Sequence, residues 1–247
     1  MNYMLGRKAV KTDSRTLKMA KYTAAIPAPP PSCDWTKGEP NWGMMLNDTL
    51  GDCTIAGCGH AVQVCGLNVD YTFGGETLAD SIIEGAYSAW DGYVPGDPST
   101  DNGGIELDVL NDWCKSDLGG HHLLGFADPA VSNLTEIKQA INLFGGVYIG
   151  FNVPQSVMDN ASDPTVLWDV NGDNTIIGGH CVYIPRYDAD GTLTCISWGK
   201  LYRMSAAFWT QFVDEAHALL LATWIRNNKT PSGFDLAGMQ ADLAVIK

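Results

Sequence analysis

Asn47-Asp-Thr-Leu-Gly-Asp-Cys53-Thr-Ile-Ala-Gly-Cys58-Gly-His60-Ala-Val-Gln-Val-Cys65 is the stretch whose reading decides the fold. Gly51 and Asp52 form a turn and a helix-start signal, with Asp52 as N-cap, and the small and apolar residues after them predict a buried helix. Cys53 therefore falls at a helix N-terminus. Free backbone N–H groups and the positive end of the helix dipole stabilise an anion there, which favours the nucleophilic thiolate. The competing reading is structural: Cys53, Cys58 and Cys65 would be small hydrophobes in a packed helix.

Composition narrows what surrounds this helix. With 247 residues, 45% of them hydrophobic, the chain can bury a full core as one large domain or two intimately packed lobes. The net charge of −13 argues against a nucleic-acid partner, whose phosphates would be repelled. No apolar run approaches a membrane span, and Met1 to Val10 lacks the apolar centre of a signal peptide. The expectation is a cytoplasmic or virion-associated chain with no membrane contact. Seven cysteines without framework spacing fit reduced thiols better than a disulfide scaffold.

Outward from the central helix, residues 1–31 read as a basic arm carrying Lys8, Lys11, Arg15, Lys18 and Lys21, followed by the extended strap Pro27-Ala-Pro-Pro-Pro31. Residues 32–130 read as a helical lobe, with helical patterns at 79–91 and 105–114 around a turn-rich loop at 95–104. Residues 131–221 read as a β-sheet lobe with a closing helix. The capping box Asn133-Leu-Thr-Glu136 starts a helix over 134–144, and Gly145-Gly146 stops it. Strands follow at 147–151, 180–184 and 193–198, the last two joined by the turn Asp188-Ala-Asp-Gly191. Ser205 opens an amphipathic helix through Phe208, Phe212, Ala216 and Leu219, and residues 222–247 form a C-terminal extension. Helices first and strands second predict an α+β fold.

The order of these elements resembles the papain-like cysteine peptidases. Asp34-Trp35 is followed 13 residues later by Asn47 and 6 residues after that by Cys53, which resembles the family's Asp-Trp, oxyanion-hole Gln and nucleophilic Cys. Asn102-Gly103-Gly104 resembles the Asn-Gly-Gly segment that pairs with an extended substrate. Gly145-Gly-Val-Tyr-Ile-Gly150 resembles a Gly-Pro-Val strand, Gly179-His180-Cys-Val the segment of the catalytic His, and Ser197-Trp198-Gly199 the family's Ser-Trp-Gly. The resemblance implies a two-lobe fold, a helical left lobe and an antiparallel β-sheet or barrel right lobe, with the active-site cleft between them. The departures are Leu50-Gly-Asp-Cys-Thr54 in place of Cys-Gly-Ser-Cys-Trp, Asn47 in place of Gln, and Ile196 where the family has the Asn that orients the His.

The resemblance implies a Cys53–His180 dyad with Asn47 and the backbone N–H of Cys53 as oxyanion donors. Substrate-binding positions are Asn102, Gly103, Gly104, Ile105, Gly179 and Trp198, with Ile105 walling a pocket for an apolar side chain. A hairpin centred on Asp188 puts Ile196 opposite His180, where it offers no hydrogen bond. An ionised Asp52 about 6 Å from the thiol would disfavour the thiolate by about 2–3 kcal/mol at an effective dielectric near 20. Asp169-Val-Asn-Gly-Asp173 resembles a calcium loop only faintly, and His121-His122 lacks a metal-ligand partner, so no metal is expected. The leading expectation is a cofactor-free cysteine hydrolase of peptide, amide or ester bonds, whose partner is a peptide or other acyl substrate. The alternative is a catalytically impaired papain-fold protein serving binding or phage or bacterial assembly.

Overall fold

The computed structural model describes residues 3–23, 25–38, 41–69, 74–227 and 235–246. Parts of the arm (1–2 and 24) and of the C-terminal extension (228–234 and 247) lie outside them. The elements in chain order are β1 (Leu17–Lys18), α1 (Ala20–Thr23), β2 (Cys33–Asp34), α2 (Cys53–Asn68), α3 (Asp80–Asp91), α4 (Glu106–Trp113), β3 (Leu123–Asp128) and α5 (Leu134–Phe144). They continue with β4 (Val147–Pro154), α6 (Gln155–Asp159), β5 (Ile176–Tyr187), β6 (Leu193–Ser197), β7 (Lys200–Met204), α7 (Ala206–Phe212), β8 (Val213–Leu221), α8 (Ala222–Asn227) and α9 (Leu236–Ile246). The α+β class is as expected. Among the described residues no helix is long and apolar enough to cross a membrane.

One mixed sheet runs in the order β1-β3-β8-β4-β5-β6-β7, and β2 pairs with β5 beside it. All pairs are antiparallel except β1 with β3. Helix α2 is buried along nearly its whole length and lies against the sheet. Gly57 makes that approach possible, because a Cβ there would press on Tyr148 of β4 and Cys181 of β5. The Tyr148 hydroxyl donates to the Thr54 carbonyl at 2.9 Å, fixing the first turn of α2 to the strand that faces it. The start of α2 and the middle of β5 are thereby held together, and the site sits where they meet.

Four expectations are corrected. The helix begun by Ser205 ends at Phe212, and 213–221 is strand β8, lodged between β3 and β4. A strand covered on both faces has no alternating pattern, so its apolar residues are indistinguishable from a helix repeat. Strand β3 was unread for the same reason, and it extends the sheet into the stretch assigned to the helical lobe. The β5–β6 hairpin is centred on Asp190 and not Asp188, pairing Tyr187 with Leu193 and Arg186 with Thr194, and with a one-residue register shift beyond them Ile196 faces Tyr183 and not His180. Asp52 sits at the N-cap of α2 but does not cap it, its side chain accepting instead from the Asn47 amide at 3.3 Å.

Candidate active site

Cys53 begins α2 and His180 lies in β5, each only 1% exposed. The Cys53 thiol receives backbone hydrogen bonds from Cys181, the residue after His180, and from Gly6 of the N-terminal arm. Burial nevertheless pushes the thiol up to about 12. Burial also pushes the His180 imidazole down to about 3, with His60 adding to the effect. In this state both groups are neutral and dry. Asp52 is pushed well above the usual carboxylate range by burial, and its charge is one of the influences that raise the Cys53 thiol.

The His180 ring is held from two sides. Its Nε2 lies 2.7 Å from Ser197 Oγ, and its face stacks on Trp198 with ring centroids 4.5 Å apart. Trp198 takes a left-handed backbone conformation, φ 45°, just before Gly199 at φ 70°. That turn between β6 and β7 aims the indole back over the imidazole. Nδ1 of His180 is buried without a hydrogen-bond partner. The residue after Ile196 thus supplies the contact that Ile196 itself does not make. Asn47 donates its amide to Leu50 O at 3.2 Å and to Oδ1 of Asp52, the residue before Cys53.

The arm fills the cleft. Met4 N–H donates to Asn47 O, Arg7 N–H to Gly179 O and Lys8 N–H to Gly104 O, while Gly104 N–H donates to Gly6 O. Trp198 Nε1 donates to Met4 O, and the Tyr3 ring packs edge-on against the Trp198 indole. Backbone runs against backbone at three glycines, since a Cβ at Gly6 would collide with Gly51 O, one at Gly103 with Gly6 O, and one at Gly179 with Arg7 O. Asp101 and Tyr87 brace this groove. The carboxylate accepts from Gly51 N–H and from the Tyr87 hydroxyl, which in turn accepts from Gly103 N–H at 2.8 Å. The backbone N–H of Gly6 lowers the Cys53 thiol slightly, against the larger effect of burial.

Arg7 descends from the arm into an acidic pocket beside Gly104. Its Nε lies 3.2 Å from Glu106, and one terminal nitrogen lies 2.5 Å from Asp214 and 3.2 Å from Glu215. Behind them His217 bonds Asp128 at 2.7 Å and Glu215 at 3.3 Å. Burial alone would lower His217, but these carboxylates outweigh it and raise it to about 9, so it is an imidazolium. Glu106, Glu215 and His217 bring ligand-type atoms within 4.8 Å of one another. Arg7 and the His217 proton already engage them.

Comparison with solved structures fits this geometry. The chain is similar to xylellain, a cysteine protease from Xylella fastidiosa, at 18% identity and a TM-score of 0.58, over 88% of this chain and 96% of that one. It is similar to procathepsin B S9 from Trypanosoma congolense at 11% identity and a TM-score of 0.59, over 87% and 86%. It also resembles digestive procathepsin L 3 of the Tenebrio molitor larval midgut at 13% identity and a TM-score of 0.56, over 85% and 75%. The chain has the papain-like fold. No protein-family model matches it, and no curated protein is similar to it in sequence.

Within this papain-like fold the arm touches Asn47, Gly103, Gly104, Gly179 and Trp198 directly. Asn102 and Ile105 stand on either side of that ledge, with the Asn102 amide turned to Ser99 O. Sequence reasoning missed Ser197, and it missed Arg7 with Glu106, Asp214, Glu215 and His217. A signal for Ser197 existed, since a hydroxyl beside Trp198 is within reach of any ring stacked on that indole. None existed for the Arg7 pocket, whose parts are scattered from the arm to β8.

Proposed function

We propose that the protein is a cysteine hydrolase of peptide, amide or ester bonds, held latent by residues 3–8 of its own chain. The observation that carries the reading is a His180 clamped by Ser197 and Trp198 with Nδ1 unpartnered, in the strand whose next residue, Cys181, packs against Gly57 of the helix that Cys53 begins. When the arm leaves, water returns to the cleft and the desolvation that keeps Cys53 and His180 neutral is relieved. With Nε2–H donating to Ser197, Nδ1 takes the thiol proton. The thiolate attacks the acyl carbon, and the free N–H groups of the first turn of α2 receive the oxyanion. Asn47 joins them, because its long bonds to Leu50 and Asp52 give way to a stronger charge-assisted one. The acyl–heteroatom bond breaks as His180 protonates the leaving group. Water, deprotonated by His180, then cleaves the thioester and restores the thiol.

One observation favours a second reading, in which the papain-like scaffold serves binding or assembly. The arm's backbone pairing continues through the whole cleft, leaving the thiol near 12 and the imidazole near 3. The test is turnover of a panel of fluorogenic peptide amides and esters by the Arg7→Ala chain, with Cys53→Ser on the same background as control. Cys53-dependent turnover supports the hydrolase; none across the panel supports the scaffold.

A further inference from the structure

The Arg7 pocket is a built cation site. Glu106, at the first position of α4, is 1% exposed, and neither of its carboxylate oxygens accepts a hydrogen bond. Its nearest cation is the Arg7 guanidinium. Gly150, in the middle of β4, supplies the room: a Cβ there would collide with Arg7 Nε and with Glu106 Oε1. Glycine inside a buried strand costs about 0.5–1 kcal/mol relative to alanine, so the space is kept against the sheet's own preference. The pocket opens beside Gly104, and the residue before its occupant, Gly6, bonds the Cys53 thiol. A side chain seated here therefore fixes a backbone one residue away from the nucleophile.

We propose that the pocket formed by Glu106, Asp214, Glu215 and Gly150 is a substrate side-chain subsite of the cleft and that it selects arginine, Arg7 being its resident occupant in the latent state. This rests on the hydrolase reading and names its substrate class. The arrangement suits a guanidinium and not an ammonium. Glu106 meets the Nε edge while Asp214 and Glu215 meet a terminal nitrogen, so the carboxylates are spread around a planar fork. A lysine ammonium is a point charge that cannot span both sides. An apolar side chain would leave His217 as the one cation facing Glu106 and Glu215, and nothing to meet the Nε edge that Arg7 presents to Glu106.

The experiment measures binding of acetyl-Gly-Xaa-Gly-amide by isothermal titration to the full chain carrying Arg7→Ala, with Xaa as arginine, citrulline, lysine or leucine. Arg7→Gln, which retains a polar edge, replaces it should the first variant not fold. Arginine is expected to bind at least tenfold tighter than its uncharged isostere citrulline and than leucine, with lysine between. Glu215→Gln on the same background is expected to remove at least tenfold from arginine and leave leucine unchanged. Equal affinities, tighter leucine, or no binding of any peptide overturns the proposal. The same sequences made as coumarin amides separate the two readings. Arginine-selective binding without turnover removes the hydrolase and keeps the subsite; turnover without arginine preference does the reverse.

Discussion

Replacing Arg7 with alanine is predicted to expose Cys53 without unfolding the protein. The side chain makes two buried contacts, with Glu106 and Glu215, and one with Asp214, which is a third exposed and adds little. Removing one partner from a buried ionic cluster costs about 3–5 kcal/mol. Every 1.4 kcal/mol is a factor of about ten, so the arm-open population rises by roughly 10² to 4 × 10³. The backbone bonds from Met4, Gly6, Arg7 and Lys8 remain and, at about 1 kcal/mol each, keep the arm docked most of the time. When opening is fast relative to labelling, the alkylation rate follows the open fraction. Iodoacetamide labelling with peptide mapping should therefore show Cys53 accelerated at least a hundredfold, while Cys58 and Cys65, deeper in α2, do not change. A Cys53 rate within threefold of the wild type refutes the reasoning. Parallel acceleration of Cys58 and Cys65 refutes it too, since that is global unfolding.

Three further outcomes follow from the same geometry. Ser197→Ala on the Arg7→Ala background removes one hydrogen bond to the His180 ring, and turnover of the best fluorogenic substrate should fall roughly tenfold or more, with melting temperature little changed. Ile196→Asn does not restore a missing catalytic contact. Its side chain enters a fully buried position paired with Tyr183, so stability measured by urea unfolding should fall by about 1–3 kcal/mol with no gain in Cys53 reactivity. His217, raised from 6.5 to about 9, contributes stability that is complete below pH 6.5 and is lost as pH rises through 9. That contribution is about 3 kcal/mol, so between pH 6.5 and 10 the wild-type melting temperature should fall roughly 6 °C further than that of His217→Gln.

The fold was legible where local chemistry and tertiary structure agree. The box at Asn133 and Glu136 and the stop at Gly145 mark α5 to the residue, and the glycine-rich start at Gly51 marks α2. It was illegible where a strand is buried on both sides, as β8 is, because Val213 to Leu221 then carries no period of two. Within the site, Cys53 stood out because it begins a helix, and His180 and Trp198 because each sits in a short motif beside glycine, Gly179-His180 and Trp198-Gly199. Ser197 was overlooked because the β5–β6 hairpin turns two residues later than Asp188, pairing Tyr187 with Leu193, so that the expected turn pointed to Ile196 and not to the hydroxyl beside Trp198. Arg7 was hidden by distance along the chain, since the carboxylates that bury it come from α4 and β8. The basic character of the arm is legible in its lysines and arginines, and Lys11, Lys18 and Lys21 pair on the surface with Asp108, Asp128 and Asp242. Only Arg7, among these cations, leaves the surface.

The central claim is that a Cys53–His180 pair lies assembled beneath the arm. Its most direct test is the pH dependence of Cys53 alkylation in the full chain carrying Arg7→Ala, with and without His180→Ala. The account predicts a thiol that reacts well below the pKa of about 8.5 of a free cysteine, and the loss of that advantage when His180 is removed. A Cys53 that titrates as an ordinary or buried thiol, indifferent to His180, would contradict it.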